Sequence, residues 1–271
     1  MSRKVALAIG AHPDDIEIMM AGTLLRLGEA GYELHMMNIA NGDCGTFEYD
    51  KTTIAEKRLA EARAAAAALG ATHHDPVVSD VEVLYTVAQL RRVTAVVRET
   101  EPAIMLVQPP SDYMEDHQNA CRLAVSAAFT RGMPNFFTLP ARPPVDTPVT
   151  LYHALPYGLC DAMRRRVRPG QYVDIGPVLA RKRAALAEHR TQKEWLDHSQ
   201  GLDSYLNTME AMGREVGRWS GRFAVAEGWR RHSHLGFCEE GADPLTETLG
   251  DAVWIDEEYE RGLWSGLPPA G

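Results

Sequence analysis

Cysteine is scarce and scattered. Cys44, Cys121, Cys160 and Cys238 are the four in 271 residues, and no two form a C-x-x-C pair. That pattern leaves no cysteine-based zinc site, argues against a disulfide scaffold, and fits a reduced, cytoplasmic setting. No apolar run approaches the roughly 18 residues of a membrane span. The basic lead of MSRKVALAIGAHPDD is followed by an apolar run that stops at His12, too soon for a secretion signal. Excess positive charge is missing as well: 28 Lys and Arg against 37 Asp and Glu leave a net −9. A nucleic-acid footprint and binding to an anionic membrane surface are therefore not expected. The locally basic MRRRVRPG (163–170) reads as a solvated loop or helix end. The chain also lacks a G-x-G-x-x-G after its first strand, a P-loop, a G-x-S-x-G elbow, internal repeats and low-complexity segments.

What is present is an alternation of buried strands and helices. KVALAIGAH reads as a first strand, and EIMMAGTLLRLGEAG as one helix ending near Gly31. YELHMMNIANGDCGT is a second strand with a glycine-rich exit, followed by the alanine-rich helix TIAEKRLAEARAAAAALGA, which stops at Gly70. THHDPVVSD, VAQLRRVTAVVRETEP, AIMLVQPP and HQNACRLAVSAAFTRG continue as strand, helix, strand, helix. TLYHALP and QYVDIG add strands, and PVLARKRAALAEHRTQKEWLDH a helix. The stretch from Ser204 to Phe237 reads as helical and then irregular. The expected fold is an α/β, Rossmann-like, mostly parallel sheet with helices on both faces and extra C-terminal strands and helices. Residues 1–200 form its body, and residues 201–271 are an extension packed on the same domain.

Ligands of such sheets bind at the carboxyl ends of the strands. His12 to Asp15, NGDCGT and QPPSDYMEDH each follow a strand, so three polar clusters converge on one edge. His12 and Asp15 sit on a strand-to-helix turn, and His117, preceded by Asp116, opens a helix after another strand. Two imidazoles and a carboxylate with room for water make an open, catalytic type of metal site; zinc suits it, as do iron and cobalt. A cation also accounts for an Asp-Asp step at the mouth of a buried strand. Asp14, beside a ligand, is the natural general base, and Asp116 an orienting carboxylate for an imidazole. HPDD alone would also serve as an acid-rich cap of a helix N-terminus; the second Asp-His pair favours the metal. The glycines of NGDCGT imply either close approach of backbone to a ligand or a tight turn. His73 and His74 point to opposite faces of a strand and cannot easily share a metal, whereas His232 and His234 can share a face.

These residues resemble the LmbE-like, PIG-L-type zinc-dependent N-deacetylases over roughly residues 4 to 200. AHPDDIEIMMAGTL is similar to their opening A-H-P-D-D motif with its later G-G-T-L, and NGDCGT to G-E-x-G-T. EKRLAEARAAAAALG resembles the R-x-x-E-A helix, YMEDHQNA the H-P-D-H motif, and YVDIG and EHRTQ the later strand and helix. The resemblance implies that His12, Asp15 and His117 hold the metal, that Asp14 is the base, and that Arg58 positions an acyl or sugar group. The implied reaction is hydrolysis of an N-acetyl group from an acetylated amino sugar or its conjugate by metal-activated water. The implied partner is thus a small-molecule N-acetylated sugar, and a homo-oligomer is common among such proteins. Three positions depart from the pattern: Ala21 for a glycine, Asp43 for a glutamate, and Met114 for a histidine assigned to transition-state stabilisation. A thioether cannot donate a hydrogen bond. Tyr113, with its adjacent phenol, and His153, His232 and His234 are the candidates to reach the substrate instead. Should none do so, the alternative is a catalytically impaired, metal-containing carbohydrate-binding protein.

Overall fold

A computed structural model describes residues 4–200 and 204–263. The body is a single eight-stranded sheet built from β1 (Val5–Gly10), β2 (Glu33–Asn38), β3 (Ala71–His74), β4 (Ile104–Val107), β5 (Thr150–Ala154), β6 (Gln171–Asp174), β7 (Ala226–Arg231) and β8 (Val253–Ile255). Their spatial order is β3-β2-β1-β4-β5-β7-β6-β8. The first five strands are mutually parallel; β7 then runs antiparallel to both β5 and β6, and β8 antiparallel to β6. Helices α1 (Asp15–Met19), α2 (Ala21–Glu29), α3 (Lys51–Leu69), α4 (Val87–Thr100), α5 (Glu115–Thr130), α6 (Leu179–Leu186), α7 (Arg190–Gln200) and α8 (Ser204–Ser220) connect the strands. Two short C-terminal helices, α9 (Pro244–Leu249) and α10 (Glu257–Arg261), flank β8. None of the described helices is long and apolar enough to cross a membrane.

β1 is buried along its whole length because its alternate residues enter two different cores. Ala6 and Ala8 face the layer holding Leu24, Leu27 and Trp229, whereas Leu7 and Ile9 face Val93, Val97, Leu123 and Ala124 of α4 and α5. A strand covered by helices on both sides needs apolar residues at every position, hence its uninterrupted run. From β1 the chain adds β2 and β3 outward in one direction; β4 returns to the other side of β1, and β5 follows outward. This reversal opens a crevice between the carboxyl ends of β1 and β4, the favoured ligand position of a parallel sheet.

Two expectations need correction. The apolar period of EIMMAGTLLRLGEAG predicts one helix, but the chain breaks at Met20 (φ −132°) into α1 and α2. The break gives α2 its own N-terminus. There the buried carboxylate of Glu227 accepts from the Gly22 and Thr23 amides at 2.8 and 2.7 Å, satisfying helix-end donors and complementing the dipole. A side chain at Gly22 would collide with Ile175 and Glu227, so the A-G-T step is a docking notch. Likewise, the segment after α8 is not irregular. β7 lies between β5 and β6, and Trp229 is fully buried with its indole N–H donating to Thr23 Oγ1 at 2.9 Å. The extension expected from residue 201 onward therefore supplies β7 and β8 to the sheet itself. Its first residues, 201–203, and residues 264–271 lie outside the described residues, as does the basic lead at 1–3.

Candidate metal centre and active-site cleft

His12 follows β1 by two residues, and Asp14 occupies the N-cap of α1 with a left-handed φ of 115°. A non-glycine side chain there is strained, and such strain concentrates at functional sites. The distortion lets Asp15 fold back: its Oδ2 accepts from the Ala11 and His12 amides at 3.0 and 2.8 Å. Its other oxygen, Oδ1, lies 3.3 Å from His117 Nε2. One ligand atom from each of His12, Asp15 and His117 falls within 4.8 Å of the others, a spacing that fits a single cation.

The remaining imidazole nitrogens are held from behind. His12 Nε2 meets Asp116 Oδ2 at 3.0 Å, leaving Nδ1 facing Asp15 at 3.7 Å. His117 Nδ1 meets Asp112 Oδ1 at 3.0 Å, leaving Nε2 on the Asp15 side. These are two carboxylate–histidine pairs of the kind that fix ring orientation and raise basicity in metal sites. Asp116 also accepts from the Val81 amide at 2.7 Å. Burial opposes charge on His12, but hydrogen bonds and the fields of Asp116 and Asp15 win, pushing its pKa up to about 10. Burial likewise opposes charge on His117, and Asp15 and Asp112 raise its pKa. The cluster is thus built to hold positive charge, and its nitrogen and oxygen donors suit zinc or a similar divalent ion.

Asp14 faces the same cleft, whose cavity measures about 470 Å³. Burial and the adjacent Asp15 raise its pKa, against His189, Tyr205 and Arg58, which lower it. The Tyr205 hydroxyl donates to Asp14 Oδ2 at 2.8 Å. Arg58, from α3, is buried and reaches the cleft between the glycines of the β2 exit loop. Its Nη2 donates to the Gly45 carbonyl at 2.6 Å, and a Cβ at Gly42 or Gly45 would overlap its side chain. The glycines of NGDCGT therefore make room for an arginine of the chain itself. The loop is pinned by Asp80, whose carboxylate accepts from the Gly42 and Cys44 amides at 2.7 and 3.1 Å. Met114 and Tyr113 line the cleft too; Tyr113 is 55% exposed, with its ring 5.6 Å edge-on from that of His117.

The cleft thus brings together His12, Asp14, Asp15, Arg58, Tyr113, Asp116 and His117. His153 and His232 are elsewhere, bonded to each other at 2.9 Å and lining a second cavity. His234 lines neither cavity. Each of these three was expected as a substrate contact; they lie on or after β5 and β7, beyond the β1–β4 crevice. Asp112, Asp80 and Tyr205 were not anticipated. Asp112 could have been found as a second acid in SDYMEDH, whereas nothing local marks Tyr205 on α8, brought in from far along the chain.

Residues 7–129 match the family model described as PIG-L, GlcNAc-PI de-N-acetylase. A diacetylchitobiose deacetylase of Thermococcus kodakarensis is 28% identical over 199 residues, covering 70% of each chain. The chain superposes on the N,N'-diacetylchitobiose deacetylase of Pyrococcus horikoshii with a TM-score of 0.70 at 22% identity, over 86% of this chain and 85% of that one. It also superposes on GalB, the 4-carboxy-2-hydroxymuconate hydratase of Pseudomonas putida KT2440, with a TM-score of 0.67 at 24% identity, over 84% and 95% of the two chains.

Proposed function

We propose that this chain is a metal-dependent hydrolase of the LmbE-like, PIG-L-type superfamily that removes the N-acetyl group from an acetylated amino sugar or its conjugate. One observation carries the reading: a three-ligand donor set with its nitrogens braced by Asp112 and Asp116 shares a cleft with a separate carboxylate, Asp14. The relatives named as deacetylases of a diacetylated sugar support the substrate class.

A divalent ion such as zinc, when held by His12, Asp15 and His117, would lower the pKa of water and polarise an amide carbonyl. Asp14 takes the proton of the attacking water and returns it to the departing amine nitrogen. Tyr205 holds one Asp14 oxygen, so the carboxylate is oriented before substrate arrives. Arg58 positions an oxygen of the acyl or sugar group. Tyr113 takes the donor role that Met114 cannot fill, its phenol being protonated at neutral pH.

The test is release of acetate from N-acetylglucosamine, diacetylchitobiose and N-acetylglucosamine conjugates, before and after chelation and zinc reconstitution. Expected is acetate release that disappears with the metal. Asp14→Asn should lose about 10²–10⁴-fold in kcat while elemental analysis still finds metal. Turnover surviving in Asp14→Asn would remove Asp14 as base. Metal binding and sugar binding without acetate from any substrate would favour the non-catalytic reading that Met114 motivates. The fold also serves a hydratase, GalB, so water addition to an unsaturated acid without acetate release would overturn the amide reading altogether.

A further inference from the structure

The second cavity, about 540 Å³, shares no lining residue with the catalytic cleft. It lies where the sheet changes sense, β5 being parallel to β4 and antiparallel to β7. His153 and Arg230 are directly opposite across the β5–β7 pair, and His232 follows on the same side of the chain as Arg230. Arg122, exposed on α5, lies with its guanidinium 4.7 Å from the Tyr85 ring centre and completes the wall.

The charge here is one-sided. No carboxylate lines the cavity among the described residues, in a chain whose net charge is −9. Arg231, also on the wall, has Asp243 and Glu260 at 3.9 and 4.0 Å. Among the described residues Arg230 has no such neighbour: its Nε and one terminal nitrogen are buried without a hydrogen-bond acceptor, and its other polar contact is the phenol of Tyr259. A guanidinium with buried donors left unmatched is a costly, uncompensated charge, and an oxyanion in the cavity that Arg230 lines would neutralise it.

The histidines add a directional feature. The Gln108 carbonyl can only accept, so His153 Nδ1, 3.0 Å away, carries the hydrogen. His153 Nε2 is then the acceptor for His232 Nδ1–H at 2.9 Å. His232 Nε2 is left as an acceptor for a ligand hydroxyl. We propose that this cavity is a second ligand site for a sugar-sized, hydroxyl-bearing anion, its carboxylate or phosphate held by Arg230 and Arg122 and a hydroxyl by His232. The volume lies within the range of small-molecule sites.

Isothermal titration calorimetry on the metal-loaded protein tests the site with glucose 6-phosphate, glucuronate and uncharged glucose, which separate phosphate from carboxylate and charge from sugar shape. Expected is saturable binding of at least one anion, none of glucose, and weakening by about tenfold in Arg230→Gln, the loss of one charge-assisted hydrogen bond. Near-ultraviolet circular dichroism checks that this variant is folded; if it is not, Arg122→Gln, a surface change, decides with the same expectation. Absence of binding by both anions at about 10 mM, binding of glucose equal to theirs, or affinity unchanged in the deciding variant would each overturn the site. The last outcome would place the anion elsewhere, for instance at the metal centre.

Discussion

Single side chains at the candidate metal centre divide into those that would touch the ion and those that hold them. Asp112 is buried and spends its charge on His117 Nδ1. Replacing it by Asn removes that charge while keeping the shape, so metal affinity should fall about 10–100-fold with the fold intact. Competition with a chromophoric chelator measures this, and unchanged affinity would mean that Asp112 serves packing alone. Tyr205 acts on Asp14 rather than on substrate. Its hydrogen bond favours the ionised carboxylate, so Tyr205→Phe should raise the Asp14 pKa. The proposed base works ionised; the acid limb of kcat/KM against pH should therefore move to higher pH in the variant. A profile lowered uniformly with no displacement would show a purely structural role.

Among the elements, the junction of α2, α6 and β7 is the most consequential. Lys182 Nζ of α6 lies 2.6 Å from Glu227 Oε1 of β7, both buried, and the same carboxylate caps α2. One acidic side chain thus binds three elements, one of which, α2, continues from the α1 that carries Asp15. Lys182→Met leaves Glu227 charged and short of a partner, and should cost about 3–5 kcal/mol of unfolding free energy. The double replacement Lys182→Met with Glu227→Gln should recover part of that loss, because the uncompensated charge is gone. Urea unfolding of the two variants decides it; equal losses would mean the amide contacts, not the ion pair, dominate.

At the scale of the molecule, stability should depend on pH through histidines that folding keeps neutral. Burial pushes the His153 pKa down to about 4, against its usual 6.5. Above 6.5 the ring is neutral in both folded and unfolded chains and contributes no pH dependence. As pH falls from 6.5 toward 4, the unfolded chain gains a proton that the folded one refuses, so stability drops, by on the order of 3 kcal/mol in full. His74 titrates in the same direction and range, lowered to about 4 by burial and by His35. The check is urea unfolding at a series of pH values, with His153→Gln expected to flatten the slope. A slope identical to that of the parent would show that His153 is protonated as easily folded as unfolded. The acid-labile elements, β5 with the second cavity and β3 at the sheet edge, flank the candidate metal centre on either side.

The sequence alone determined the parallel half of the sheet, its crevice and most of the candidate metal cluster. Those features are local: strand-length apolar runs, helices with glycine stops, and polar residues placed directly after strands, all expressed within a few residues of one another. HPDD and the DH after β4 show in their own spacing that they could serve a cation. Tertiary structure alone decided what depends on distant segments meeting. Trp229 and Glu227 give no local cue that AEGWRR is an interior strand, because a strand holding Gly, Glu and two Arg becomes favourable only when Lys182, Thr23 and the α2 amides partner it. Tyr205 reaches Asp14 across 191 positions of chain. His153 and His232, drawn toward the cleft by their chemistry, are held away from it by the antiparallel pairing of β5 and β7. Residue type and spacing set which groups could do chemistry; strand order, which is set by long-range packing, decided which of them face the same space.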